Sequence, residues 1–164
     1  MHDTDDLLRK VLTLRARIGA EFEKMAGEDL AAIMASRDTT ETFLSHENKC
    51  RRLAAIWALT SHWPRDNRTA ELLKYRSVED AEIEVRHAAL IGLGTVFGGS
   101  ADTGACRFLA TTSLSEDEPA IVREGAYRAL FAVAGTPLRN QPPFVGFVLE
   151  RDLDRRFVEA FLKE

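Results

Sequence analysis

The stretches EVRHAALIGLG (residues 84–94) and IVREGAYRALFA (residues 121–132) decide the fold. Each places an Arg, then Ala three positions later, then Leu four positions after that: Arg86, Ala89 and Leu93 in the first, Arg123, Ala126 and Leu130 in the second. A weaker copy begins at Arg52 in CRRLAAIWAL (residues 50–59), with Ala55 and Leu59, and a degenerate copy is Arg155, Val158 and Leu162. The aligned arginines are separated by 34, 37 and 32 residues. A period in this range predicts stacked helical repeats.

The repeated residues lie at helical spacing. Val85, Ala89 and Leu93 fall on one face of a helix, so this face is predicted to be buried, and the small Ala lets a partner helix approach closely. Acidic residues come just before the aligned arginines: Asp80, Glu82 and Glu84, and then Glu116, Asp117 and Glu118. We expect these acids to pair with an Arg of the same or the next repeat and so to set the repeat register.

Capping residues, prolines and glycines predict helices along the whole chain. The first is an amphipathic helix over residues 4–26. The others are one or two short helices within 28–44, then 45–61, 66–75, 81–97, 102–112, 119–135, 143–149 and 152–163. Alternating apolar and polar residues, which would predict strands, are missing, so the chain is predicted to be all-α.

The pairing of a first helix (A) with a second helix (B) that carries the Arg-Ala-Leu pattern resembles HEAT repeats, in particular bacterial HEAT-like repeats of the phycobilisome-lyase type. The resemblance rests on Val85-Arg86, Ala89 and Leu93-Gly94, and on Val122-Arg123 with Ala126 and Leu130. It implies a right-handed α-solenoid of about four helical hairpins. Residues 28–163 would form the repeats and residues 1–27 a capping helix, in a single domain spanning 1–164.

Composition limits the partners and the location. The net charge is −4, so nucleic acid is not expected as the main partner, because phosphate binding requires a basic surface. No apolar run is long enough to cross a membrane. The acidic N-terminus does not resemble a signal peptide, and two cysteines are too few for a disulfide framework. These features predict a cytoplasmic protein.

Catalytic and metal-binding patterns are weak. His46 and Cys50 lie one helical turn apart, but no second pair completes a metal site. Gly92, Gly94 and the pair Gly98-Gly99 follow no strand and precede no Gly-Lys-Ser/Thr, so we interpret them as helix-terminating residues rather than a phosphate-binding loop. We therefore expect no enzyme activity, no catalytic residue, no cofactor and no bound transition metal.

The side of the B helices opposite the predicted core carries apolar and aromatic residues. In HEAT-type solenoids the B helices line the concave side, and such residues can form an interface hot spot. The predicted binding residues are Trp57, His87, Ile91, Glu124, Tyr127, Arg128 and Phe131. There are two alternatives: residues 4–26 cover this side, which would make the same residues part of the core, or the first repeat is misaligned.

The functional prediction is therefore a non-catalytic scaffold or adaptor that binds another protein or a peptide on its concave face. Three alternatives remain open: a nucleic-acid-binding or DNA-repair-type HEAT protein, a chromophore-lyase-like or chaperone module, and a metal-dependent HEAT enzyme. The last predicted helix carries Leu153, Phe157, Val158, Phe161 and Leu162 with no further repeat to cover all of them, which predicts a homodimer through this helix.

Overall fold

The computed structural model describes residues 27–143 and 145–163, with side chains from residue 31 onward. Within these ranges the chain is helical and contains no strand. The α-helices are α1 Gly27–Met34, α2 Arg37–Phe43, α3 Lys49–His62, α4 Asn67–Glu79, α5 Ile83–Val96, α6 Thr103–Leu114, α7 Ala120–Val133, α8 Leu149–Asp152 and α9 Arg155–Ala160. A 3₁₀ turn, Leu138–Asn140, lies between α7 and α8. The predicted helix over residues 4–26 lies outside the described residues.

Side-chain caps start α4 and α6 where the sequence indicates. Asp66 accepts a hydrogen bond from the Arg68 amide at 2.9 Å at the start of α4, and Asp102 accepts one from the Ala105 amide at 2.7 Å at the start of α6. Each carboxylate satisfies an amide that has no partner within its helix.

The helices that carry the Arg-Ala-Leu pattern, α3, α5 and α7, pack in sequence, with α5 between the other two. The A helix α4 packs on α5, and the A helix α6 packs on α7. The residues of the pattern lie in the core, as predicted: Ala55, Ala89 and Ala126 are 0% exposed, and Leu59, Leu93 and Leu130 are at most 3% exposed. The all-α prediction is therefore confirmed for the described residues.

Glycines allow α5 to approach its neighbours closely. A Cβ at Gly94 would lie 2.9 Å from the Cα of Ala129 in α7, and a Cβ at Gly92 would lie 2.8 Å from the Thr60 methyl group in α3. Gly125 of α7 similarly leaves room for His87, whose Cδ2 would be 2.7 Å from a Cβ there. The interpretation of Gly92 and Gly94 as helix terminators is wrong, because both are buried within α5.

Arginines of the B helices bind the acidic turn of the next repeat. Arg52 is buried and donates from Nε and Nη2 to Asp80, with both distances 2.9 Å. Arg86 forms the equivalent bidentate pair with Glu118. Removing one partner of a buried ion pair such as Arg52–Asp80 costs about 3–5 kcal/mol, because the other charge is left unpaired. These acids pair with a repeat arginine as expected, but at both sites the arginine belongs to the preceding repeat and not to the same or the next one.

Four segments differ from the sequence-based boundaries. The helix predicted over residues 66–75 runs four residues further, to Glu79. The helix expected from residue 45 begins at Lys49 with Asn48 as its cap, because the Ser45 hydroxyl instead accepts a hydrogen bond from Arg76 at 2.8 Å. Residues 143 and 145–148 form no helix, since Gly146 has a φ of +77°. The degenerate copy of the pattern falls on α9, which has six residues and ends before Leu162.

None of the described helices combines the length and apolar character that a membrane crossing requires.

Replacing Gly94 by Ala tests the close contact between α5 and α7. The added methyl would meet the backbone of α7, which cannot move without separating the helices, so we expect the free energy of unfolding to fall by about 1–3 kcal/mol.

The matched control is Gly104→Ala in the first turn of α6. Its methyl would have only the Asp102 side chain within 4 Å, at 3.4 Å, so the better helix propensity of Ala should give a change between about 0 and +1 kcal/mol. Urea denaturation of both variants measures the difference. Equal effects would show that α5 and α7 are not in close contact.

Candidate functional site: the B-helix face

The predicted binding residues separate into a covered group on α7 and an open group on α3 and α5. Tyr127 and Phe131 are only 2% and 9% exposed. Trp57 is 50% exposed and Ile91 is 37% exposed. The expectation of one open face across three helices is therefore wrong at α7 and holds at Trp57 and Ile91.

The C-terminal segment (residues 136–143 and 145–163) covers α7 with aromatic side chains. The Phe147 ring stacks on Tyr127 with a centroid distance of 5.7 Å, and the Phe157 ring stacks on Phe131 at 4.2 Å. The Tyr127 hydroxyl accepts a hydrogen bond from the Asp154 amide at 3.1 Å, and burial raises the pKa of this hydroxyl. Tyr127 and Phe131 are thus core residues that hold the chain's own C-terminal segment.

The Arg128 side chain binds backbone carbonyls of the same C-terminal segment. Its Nη1 donates to the carbonyl of Pro142 at 3.0 Å, and its Nη2 donates to the carbonyl of Pro143 at 2.9 Å. Its Nε donates to Glu124 at 2.8 Å, and its guanidinium lies 4.9 Å from the centroid of the Phe147 ring. Arg128 and Glu124 therefore act together as a clamp for an extended, proline-containing chain, rather than as an exposed binding pair.

Part of this surface is covered by no residue that the structure describes. We call it the open B face, and it consists of Trp57 and Thr60 on α3 and Ile91 and Thr95 on α5. Trp57 and Ile91 each lie five positions after the aligned arginine of their repeat, so they occupy equivalent sites on two adjacent helices. Both threonine hydroxyls donate to carbonyls of their own helix. The open B face therefore offers apolar surface without a free acid, base or nucleophile.

His87 lies between the open and covered parts and is half-buried. Its ring packs against the backbone of Gly125, and burial lowers the pKa of the imidazole. The negative charge of Glu124 raises this pKa, and the positive charge of Arg128 lowers it further. His87 serves as a packing residue between α5 and α7 rather than as an open binding group.

The candidate metal ligands are engaged in other contacts. The Asn48 amide donates to Nδ1 of His46 at 3.0 Å, and Nη1 of Arg51 lies 2.6 Å from its Nε2. Cys50 is buried, and no three His, Cys, Asp or Glu side chains in the described part of the chain are grouped to hold a metal ion. Burial raises the pKa of the other thiol, Cys106, with Asp102 adding to the shift, so this thiol is a poor nucleophile.

The sequence patterns did not predict that the C-terminal segment covers the face of α7. Pro142, Pro143 and Phe147 are visible in the sequence as a loop with an aromatic residue, but their docking depends on contacts with residues 14–20 positions earlier. The apolar side chains of α9 are also packed to a greater extent than expected, because Phe157 contacts both Phe131 and Phe161. Leu162 is 39% exposed, and the homodimer through this helix stays a prediction.

Comparison of the chain with models of protein families, with curated proteins and with solved structures gives no match.

The lowered pKa of His87 predicts a loss of stability in acid. Between the folded pKa and the ordinary value of 6.5, the unfolded chain binds more protons than the folded chain. The contribution of neutral His87 to the free energy of unfolding is therefore complete above about pH 6.5. It is lost as the pH falls from that value through the pKa of the folded state. We expect His87→Gln to lose less free energy of unfolding than the wild type between pH 8 and pH 5.5, as measured by urea denaturation at both values. His62→Gln, which removes an exposed imidazole, is the control and should behave like the wild type. Identical pH dependence in all three proteins would contradict the assignment of His87.

Proposed function

We propose that this protein is a non-catalytic interaction scaffold that binds an extended segment of another protein on the open B face. The architecture that we propose is a right-handed α-solenoid of about four HEAT-like hairpins. Equivalent contacts in successive repeats support it: Nε of Arg86 donates to the Ser77 carbonyl at 3.0 Å, and Nε of Arg123 donates to the Ser113 carbonyl at 3.2 Å.

The observation that carries the functional proposal is the exposure of Trp57 and Ile91 at equivalent positions of adjacent helices. Exposing a Trp to this degree costs free energy that burial against a partner would recover, at roughly 25 cal/mol per Å² of apolar area. Trp is also among the residues that dominate interface hot spots, because it buries a large area and keeps one polar group.

The covered part of the same face indicates the chemistry of the partner. On α7 the face holds an extended chain by hydrogen bonds from Arg128 to two successive carbonyls and by stacking of Phe147 on Tyr127. Pro142 and Pro143 suit this role, since residues before proline favour extended backbone. We propose that the partner continues this interface across α5 and α3 with an extended segment that contains proline and an aromatic residue.

The arginines of the B helices support a protein partner over nucleic acid. Arg52, Arg86 and Arg128 bind carboxylates or carbonyls of the protein itself, so these guanidinium groups are committed to internal contacts rather than to phosphates. We also propose a cytoplasmic location, which the small number of cysteines, two in the whole chain, supports.

Selection from a displayed library of random 12-residue peptides, followed by calorimetric titration of the selected peptides, tests this function. We expect the selected peptides to be enriched in proline and aromatic residues. The double variant Trp57→Ala with Ile91→Ala should weaken their binding by about 2 kcal/mol or more, because it removes both apolar contacts of the open B face.

The matched control is Tyr75→Ala with Val78→Ala on α4, which removes two side chains of similar exposure, 57% and 50%, away from the open B face. This control should leave the affinity unchanged, and circular dichroism should show that both double variants are folded. Peptides that bind equally well to the Trp57/Ile91 variant, or that require Tyr75 and Val78, would contradict the proposed site.

A further inference from the structure

A separate cavity of about 230 Å³ lies between α4, α5 and α6, on the side of the molecule formed by the A helices. It forms because α4 packs on α5 while α6 packs on α7, which leaves a space between the two A helices. The buried Leu93 and Leu109 form its apolar base, and the half-buried Phe97 and Phe108 line its sides.

Charged groups stand at the rim of this cavity. Glu71 and Lys74 of α4 and Asp102 at the start of α6 line it and are exposed. Two carboxylates against one ammonium group leave an excess of negative charge around an apolar space. The Nζ of Lys74 lies 4.9 Å from the centroid of the Phe108 ring, so the face of this ring already holds an ammonium group.

The size of the cavity restricts the ligand. Sites for drug-sized molecules and cofactors measure about 300–1,000 Å³, so a cavity of 230 Å³ suits a smaller molecule. The apolar base favours an aromatic or aliphatic body, and the rim charge together with the Phe108 ring favours a cationic group at the entrance.

We propose that this cavity is a binding site for a small organic ammonium ion, with its apolar body against Leu93 and Leu109 and its charge between Glu71 and the Phe108 ring. The ligand ammonium takes the place over Phe108 that Lys74 occupies in the free protein. Lys74, which is exposed, moves toward solvent when the ligand binds. This site is distinct from the open B face, because none of the residues of that face lines the cavity, although Leu93 belongs to the same helix, α5, as Ile91.

Titration of the full chain with 2-phenylethylammonium, followed by amide chemical shifts, tests the proposal. We expect saturable shifts at residues 70–74 and 102–109. The anion 3-phenylpropionate, which has a similar body and the opposite charge, should bind more weakly. No saturable shift at these residues, or tighter binding of the anion, would overturn the proposal.

Two substitutions with opposite expected effects test the role of the rim charges. Glu71→Gln should raise the Kd of 2-phenylethylammonium about two- to fivefold, which is the contribution of an exposed ion pair. Lys74→Gln should lower the Kd, because it removes a like charge that competes for Phe108. The control Glu79→Gln removes an exposed acid at the end of the same helix, outside the cavity, and should leave the Kd unchanged. Equal effects of Glu71→Gln and Glu79→Gln, or weaker binding after Lys74→Gln, would contradict the proposed site.

Discussion

The close contact of α5 with its neighbours is the constraint on which the rest of the structure depends. Gly94 lies against the backbone of α7, so a side chain there would separate the helices, and a side chain at Gly92 would displace the Thr60 side chain of α3. Close approach buries the repeated Ala and Leu residues completely and brings Arg86 within reach of Glu118. The ion pairs then fix the register of helices whose spacing the small residues have already set.

This arrangement also determines which surface remains for a partner. Packing α3, α5 and α7 in sequence places the side chains opposite the core on one face, and the C-terminal segment occupies that face only at α7. Trp57 and Ile91 remain exposed because the covering segment does not extend to α5 and α3. The proposed function therefore rests on the part of the face that the C-terminal segment leaves exposed. The hydrogen bonds of Arg128 to that segment show how the face can hold an extended chain.

Local patterns in the sequence predicted the helices and much of the core. The burial of Ala89 and Ala126 and the caps Asp66 and Asp102 follow from spacing and from hydrogen bonding within one helix. The docking of Phe147 on Tyr127 could not be predicted in this way, since it depends on a loop conformation between the two residues. The cavity between α4 and α6 was missed for a similar reason, because it arises from the separation of two helices and carries no motif. The glycines of α5 were misinterpreted because a glycine that terminates a helix and one that permits close packing look identical in sequence.

Hydrogen–deuterium exchange measured by mass spectrometry tests the central position of α5 most directly. Amides exchange slowest in the segments that open only on global unfolding, and α5 packs on α3, α4 and α7 at once. We expect peptides within residues 83–96 to be the most protected of the chain, together with those of α7. Peptides from the short helices α2 and α9 should exchange much faster. If residues 83–96 exchange as fast as residues 37–43 or 155–160, α5 is not the helix on which the others assemble.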